Sequence, residues 1–136
     1  MKFETHGEVN AFYDAERSIL FIEIHGPVNA QFFERYEKTV NPLRESINCK
    51  TWMSIVSIYG EDAILPLEAI PKAVDSLKVA KQKGLRATAV IYDSKVNNLV
   101  FRSFWDKLYL KCGVEHEFFE HKNEAIDWLG NLPSQP

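Results

Sequence analysis

Two histidines near the C-terminus stand in the segment of the chain that comes nearest to a metal-binding motif. The segment from His116 to His121 reads H-E-F-F-E-H, so its histidines are five residues apart. A zinc-binding H-E-x-x-H helix needs a spacing of four residues, which brings both imidazoles to one helical face. In a strand, five steps point two side chains to opposite faces of the sheet. We therefore predict no metal site here.

Three carboxylates in predicted loops could act as general acids or bases. Glu61 and Asp62 follow the third predicted strand, and Asp93 follows the fourth. An enzyme would need them to converge with His25 or His116, within hydrogen-bond reach of a substrate proton, whereas acids just before a helix are equally explained by its dipole. The serines lack G-x-S-x-G surroundings, and the loops lack the glycine patterns that cradle phosphates. We assign no catalytic residue and no cofactor, and a small enzyme stays an alternative.

The composition indicates a mildly acidic globular domain. The 136 residues carry 16 basic and 19 acidic side chains, a net charge of −3, and 46% of them are hydrophobic. The basic residues are scattered, whereas nucleic-acid binding needs a basic face that displaces counterions. No apolar run approaches the roughly 18 residues of a membrane span, and the N-terminus lacks the apolar core of a signal peptide. We expect a cytoplasmic protein with reduced thiols at Cys49 and Cys112.

The hydrophobic periodicity predicts five strands and four helices. The strands are expected at residues 8–13, 18–25, 51–59, 86–92 and 115–120, and the helices after Asn29, at 67–83, after Asn97 or Asn98, and at 123–132. The first helix should run to about Val40, with a second turn or a kinked continuation after Pro42, because proline removes an intrahelical donor. Gly84 and Gly113 should end the second and third helices.

The order β-β-α-β-α-β-α-β-α determines the predicted fold class. Alternating strands and helices are typical of an α/β protein with a mostly parallel sheet and right-handed crossovers. The opening hairpin adds an antiparallel strand, so we predict a mixed sheet with helices packed on it. Leu20, Ile22 and Ile24 alternate along the second strand and should face the core. A single domain is expected over residues 1–132, with 133–136 as a tail.

Ligands of open α/β sheets bind beyond the carboxyl ends of the strands, so the predicted binding residues lie there. The loops 59–66 and 93–98 follow the third and fourth strands, and the third helix adjoins them. Aromatic residues make up 12% of the chain; most large rings fill cores, but a surplus could line an apolar cleft or a subunit contact. The candidate ligand-binding or partner-binding residues are Tyr59, Gly60, Glu61, Asp62, Ile64, Asn97, Asn98, Phe101, Trp105 and Tyr109.

Short motifs in this order resemble the STAS superfamily, named for sulfate transporters and anti-sigma-factor antagonists, and more closely its SpoIIAA-like branch of small bacterial proteins. They are Gly26-Pro27-Val28-Asn29, Trp52, Gly60, Ala80, Gly84, Asn97-Asn98, Trp105-Asp106-Lys107-Leu108-Tyr109 and Ala125-Ile126-Asp127-Trp128-Leu129. The resemblance implies a single domain with a sheet backed by helices, a cytoplasmic setting and no catalytic metal. It also implies similarity to the lipid-carrying SEC14-type fold, which makes an apolar ligand conceivable.

Antagonists of that superfamily switch by phosphorylation of a serine at the start of the helix after the third strand. Here that neighbourhood reads Gly60-Glu61-Asp62-Ala63, without serine or threonine, so the resemblance does not extend to a clear phosphoswitch. We expect a non-catalytic binding or regulatory domain that contacts a protein partner or a small apolar, lipid-like ligand. The alternatives are the small enzyme considered above and a structural homodimer without a ligand.

Overall fold

The computed structural model describes residues 8–26, 30–48, 50–59, 67–92 and 99–132. Within these ranges the predicted order of strands and helices is confirmed. The strands are β1 (Glu8–Asp14), β2 (Ile19–His25), β3 (Trp52–Tyr59), β4 (Leu85–Tyr92) and β5 (Glu115–Phe119). The helices are α1 (Ala30–Ser46), α2 (Ile70–Gln82), α3 (Leu99–Cys112) and α4 (Lys122–Gly130), and a 3-10 turn, Leu67–Ala69, precedes α2. Four predicted features lie outside the described residues. They are the helix start at Asn29, the helix start at Asn97 or Asn98, the thiol of Cys49 and the tail 133–136.

The strands form one mixed sheet in the order β1-β2-β3-β4-β5. Strand β1 pairs antiparallel with β2, and every later pair is parallel. The carboxylate of Asp14 closes the hairpin, because its Oδ1 accepts hydrogen bonds from the backbone N–H groups of Glu16 and Arg17 at 3.1 and 3.3 Å. Such local side-chain bonds favour a turn over continued strand. The hairpin therefore accounts for the single antiparallel pair of a sheet that is otherwise parallel.

The sequential strand order places three helices on one face of the sheet. Each parallel crossover from β2 through β5 advances by one strand in the same direction, and such crossovers are nearly always right-handed, so α1, α2 and α3 pack on the same side. The main core lies there, and Leu20, Ile22 and Ile24 belong to it as predicted. Helix α4 packs on the opposite face, where Ala125 and Leu129 join a second core cluster.

Helix α1 continues through Pro42, which the sequence analysis placed at a helix end or kink. The helix spans Ala30–Ser46 without interruption in its assignment. Proline removes one hydrogen bond from a helix interior, but packing of an inward face contributes most of a helix's stability in a protein. Val40 and Arg44, one turn apart on either side of Pro42, are both buried. The burial of this face explains why the helix persists.

Gly84 ends helix α2 as predicted, and its neighbourhood accepts no side chain. Its φ of +112° lies in a region that residues with a Cβ rarely adopt, and a Cβ there would approach the carbonyl oxygen of Lys50 to 2.2 Å. The close approach lets the N–H of Trp52 donate to the Gly84 carbonyl at 3.0 Å, while the Trp52 indole donates to the Lys83 carbonyl at 3.1 Å. Gly113, with φ of +71°, ends α3 in the same way.

Candidate functional site

The structure describes the side chains of three predicted site residues, Tyr59, Trp105 and Tyr109. Trp105 and Tyr109 lie one turn apart on the inward face of α3, with ring centres 6.3 Å apart, and both are buried. Tyr59, at the end of β3, instead stacks on His25 of the neighbouring strand at 4.8 Å. The backbone of Phe101 lies in α3, but its side chain is outside the described part. Also outside the described residues are Gly60, Glu61, Asp62, Ile64, Asn97 and Asn98.

Trp105 and Tyr109 line a cavity of about 40 Å³ in the main core, between the sheet and helices α1, α2 and α3. Tyr59 is not part of its lining. The cavity lies against the middle of the sheet, since its strand residues include Ile22, Ser54 and Thr88. Its other apolar walls are formed by Ile24, Phe32, Phe33, Tyr36, Val56, Ala73, Leu77 and Leu108.

Two buried hydroxyls give the sheet side of the cavity a polar patch. Ser54 and Thr88 are register partners on β3 and β4, and their oxygens lie 2.8 Å apart. One hydroxyl donates to the other, so the pair keeps one O–H hydrogen that bonds to no other described residue. Sequence reasoning missed both residues, because their pairing depends on the alignment of two strands that are 34 positions apart in the chain.

Arg44 supplies a positive charge to the same lining, and its residue surface is only 5% exposed. Its Nη2 donates to the hydroxyl oxygen of Tyr36 at 3.0 Å, and its Nη1 donates to the hydroxyl oxygen of Ser76 at 3.0 Å. The guanidinium carbon also lies 5.5 Å from the centre of the Tyr36 ring. Among the described residues no carboxylate pairs with Arg44, and its Nε–H is buried without a hydrogen bond.

Sequence reasoning missed Arg44 because it assigned only apolar residues to the inward face of α1. A signal was nevertheless present, since Tyr36, Val40 and Arg44 follow each other at intervals of four residues. Residues four apart share one helical face. The spacing therefore places Arg44 one turn beyond Val40 on the face that packs against the sheet.

The hydroxyl of Tyr109 is a neutral donor at this site. Burial raises the pKa of Tyr109 well above its ordinary value, and the nearby Tyr36 raises it further, while the charge of Arg44 acts in the opposite direction. The hydroxyl makes no hydrogen bond to another described residue. It can therefore donate a proton in a hydrogen bond to whatever occupies the cavity, but it cannot lose that proton near neutral pH.

His116 makes a second polar cluster, at the junction of β5 and α3. Its Nε2 lies 2.7 Å from Oδ1 of Asp106, and its Nδ1 lies 3.0 Å from the carbonyl oxygen of Val114. The ring also stacks on Tyr109, with centres 5.1 Å apart. Both ring nitrogens therefore lie within hydrogen-bond distance of protein oxygen atoms. The arrangement ties β5 to α3.

The geometry lends no support to the enzyme alternative among the described residues. The carboxylate beside His116 is Asp106, and the three loop acids considered for catalysis, Glu61, Asp62 and Asp93, lie outside the described residues. His25 stacks on Tyr59. No three His, Cys, Asp or Glu side chains within the described ranges lie close enough together to hold a metal ion. Burial raises the pKa of the Cys112 thiol, which disfavours its reactive thiolate form.

Among solved structures, a crystal structure from Shewanella loihica PV-4 at 2.25 Å resolution has the same architecture. It superposes with a TM-score of 0.64 over 95% of this chain and 98% of that chain, at 18% sequence identity. That protein is described as an uncharacterized member of the DUF3478 family with a SpoIIAA-like fold. This chain has a SpoIIAA-like fold.

The SpoIIAA-like fold confirms the resemblance that the sequence motifs indicated, and at this identity the similarity concerns the fold alone. No protein-family model matches the chain, and no curated protein matches it in sequence. In the described ranges of this SpoIIAA-like chain, no helix has the length and apolar character that crossing a membrane requires.

Proposed function

We propose that this chain is a non-catalytic SpoIIAA-like binding domain whose ligand occupies the cavity between the sheet and helices α1, α2 and α3. The observation that carries the proposal is the cavity itself, which is lined mostly by apolar side chains and also by a buried arginine and hydroxyl groups. Ligand sites in proteins combine a mostly apolar lining with a few placed polar groups. A fully packed core would need no such groups, because burying them costs free energy.

The size of the cavity narrows the class of ligand. About 40 Å³ holds roughly three water-sized atoms, whereas pockets for drug-sized ligands measure about 300 to 1,000 Å³. The described cavity therefore suits a small molecule, or the end of a larger one. A long lipid chain would require helices α1 and α3 to separate from the sheet, so we propose a ligand much smaller than a phospholipid.

A cavity-filling substitution tests the proposal. Ala73 lies in the lining and is buried, so Ala73→Val adds two methyl groups to the occupied space. Native mass spectrometry of the protein from its own host should show a mass above the 15.7 kDa chain, and the extra mass should disappear in Ala73→Val. Ala15→Val, in the exposed hairpin turn, is the matched control and should keep the extra mass of the ligand. Bare chain mass in the wild type, or extra mass retained by Ala73→Val, would contradict the proposal.

A protein partner is the second candidate, because large apolar side chains are exposed outside the cavity. Phe12 on the edge strand β1 is 57% exposed and stacks on Phe21 at 4.8 Å, on the face opposite the cavity. Exposed apolar patches commonly mark interaction surfaces. If Phe12 mediates a homodimer, light scattering should report twice the chain mass for the wild type. The Phe12→Ser variant should then have the mass of one chain. The mass of one chain for both proteins would rule out this dimer.

A further inference from the structure

We propose that Arg44, Tyr109 and the Ser54–Thr88 hydroxyl pair form a recognition site for a small carboxylate within the cavity. The inference rests on the proposed function and specifies its ligand: an organic acid whose carboxylate lies beside the Arg44 guanidinium. Each of these four residues lines the cavity, and they come from α1, α3, β3 and β4. The site forms only when these four elements pack together.

Charge is the first argument for an anion. Arg44 is only 5% exposed, and its guanidinium is positively charged. Its described partners are the neutral hydroxyls of Tyr36 and Ser76, the Ser76 carbonyl and the Tyr36 ring, and no carboxylate is among them. Buried charges are ordinarily paired. A bound anion would provide the counter-charge that these neutral contacts do not.

Hydrogen-bond complementarity is the second argument. Arg44 can only donate, because a guanidinium has no acceptor. The hydroxyl of Tyr109 has no described hydrogen-bond acceptor, and the pair of Ser54 and Thr88 keeps one O–H hydrogen to donate. A ligand group that matches three kinds of donor must be rich in acceptors. A carboxylate is such a group, with about four acceptor positions on its two oxygens.

Size is the third argument, and it favours a carboxylate over a phosphate or sulfate. The cavity of about 40 Å³ has room for roughly three water-sized atoms. A carboxylate group consists of three non-hydrogen atoms, and phosphate of five.

The experiment compares sodium acetate with acetamide, which has nearly the same shape but no charge. Binding is followed through amide chemical shifts in NMR titrations at constant ionic strength. Acetate should bind at least ten times more tightly than acetamide, and the largest shifts should fall on residues around the cavity. Sodium phosphate at the same ionic strength should leave those residues unshifted.

Two variants test the residues that recognise the carboxylate. Arg44→Met keeps an unbranched side chain as far as the position of Nε and removes the charged guanidinium. It should weaken acetate binding at least tenfold while leaving acetamide binding unaffected. Tyr109→Phe removes one donor and should weaken acetate binding about threefold to tenfold, which provides a second test if Arg44→Met does not fold. Arg17→Met, at an exposed arginine of the hairpin, removes the same charge elsewhere and should leave binding unchanged.

Dissolved xenon separates the carboxylate inference from the proposed function, because xenon enters apolar cavities without needing a charge. If xenon shifts the cavity resonances but acetate does not, the cavity accepts ligands and the carboxylate inference is wrong. If neither probe shifts them, both the inference and the proposed function fail. Equal binding of acetate to the wild type, Arg44→Met and Tyr109→Phe would also overturn the inference.

Discussion

Arg44 and Tyr36 contact each other across two turns of helix α1 in two ways. The Nη2 of Arg44 donates to the Tyr36 hydroxyl oxygen at 3.0 Å, and the guanidinium carbon lies 5.5 Å from the centre of the Tyr36 ring. The pair orients a buried cation without neutralising it. This arrangement leaves the positive charge of Arg44 at the cavity, which is why we assign the residue to binding and not to stability.

Arg44→Met should therefore cost little stability. Replacing a buried ionic group by an apolar side chain of similar size is often neutral or stabilising, because the charge no longer has to be desolvated. We expect the free energy of unfolding to fall by less than about 1 kcal/mol, or to rise. Urea denaturation measures it, with Tyr36→Phe as the companion variant that removes one acceptor of Arg44. A loss of more than about 3 kcal/mol in Arg44→Met would show that the arginine holds the core together.

The two glycines Gly84 and Gly130 should respond to alanine in opposite directions. Gly84→Ala places a Cβ 2.2 Å from the Lys50 carbonyl oxygen at a φ of +112°, so we expect a loss of about 2 kcal/mol or more. Gly130, the last residue of α4, has open space where its Cβ would be. Gly130→Ala should raise stability by up to about 1 kcal/mol. Thermal denaturation of both variants checks the prediction, and a similar effect of the two substitutions would contradict it.

Alkaline pH should destabilise the protein through Tyr109 and Cys112. Burial raises the folded-state pKa of both groups above their ordinary values of 10.0 and 9.0. Above those values the unfolded chain loses protons that the folded protein keeps, so the free energy of unfolding falls as pH rises. The contribution is fully present below about pH 9 and declines from there upward.

Urea unfolding between pH 8 and pH 11 measures this decline in stability. Tyr109→Phe should flatten the part of the curve above pH 10, since phenylalanine has no proton to lose. Tyr59→Phe is the control, at a partly exposed tyrosine that does not line the cavity. An identical alkaline slope in Tyr109→Phe and the wild type would show that Tyr109 is not the residue responsible.

The hydrogen bond between His116 and Asp106 should contribute modestly to stability and couple β5 to α3. Asp106→Ala should lower the free energy of unfolding by about 1 kcal/mol, the usual net value of one hydrogen bond. A double-mutant cycle with His116→Ala isolates the pair, and Asp127→Ala, at an exposed residue of α4, is the control. A coupling energy indistinguishable from zero would mean that the 2.7 Å contact does not stabilise the junction.

The order of elements and the faces of β2 could be predicted because they follow from local patterns. Alternating Leu20, Ile22 and Ile24 determine which face is buried, and Gly84 ends α2 by its own backbone conformation. The predicted end of α1 near Val40 was wrong, because packing of the neighbouring inward residues outweighs the missing hydrogen bond and the helix continues past Pro42.

The cavity could not be predicted in the same way, because it is produced by the packing of separate elements. Ser54 and Thr88 become neighbours only through the register of β3 and β4. Arg44 is charged, so a pattern built from apolar residues leaves it out even though its spacing fits. The aromatic content predicts Trp105 and Tyr109 as candidates for a cleft, and both line the cavity, while the predicted contribution of the loops stays a prediction.

A crystal structure of the protein purified from its own host, without exposure to other carboxylates, tests the central claim most directly. The account predicts electron density for a small non-water group in the cavity, with an acceptor atom within hydrogen-bond distance of Arg44 or Tyr109. A cavity that holds only water molecules, or one that side chains have filled, would contradict it.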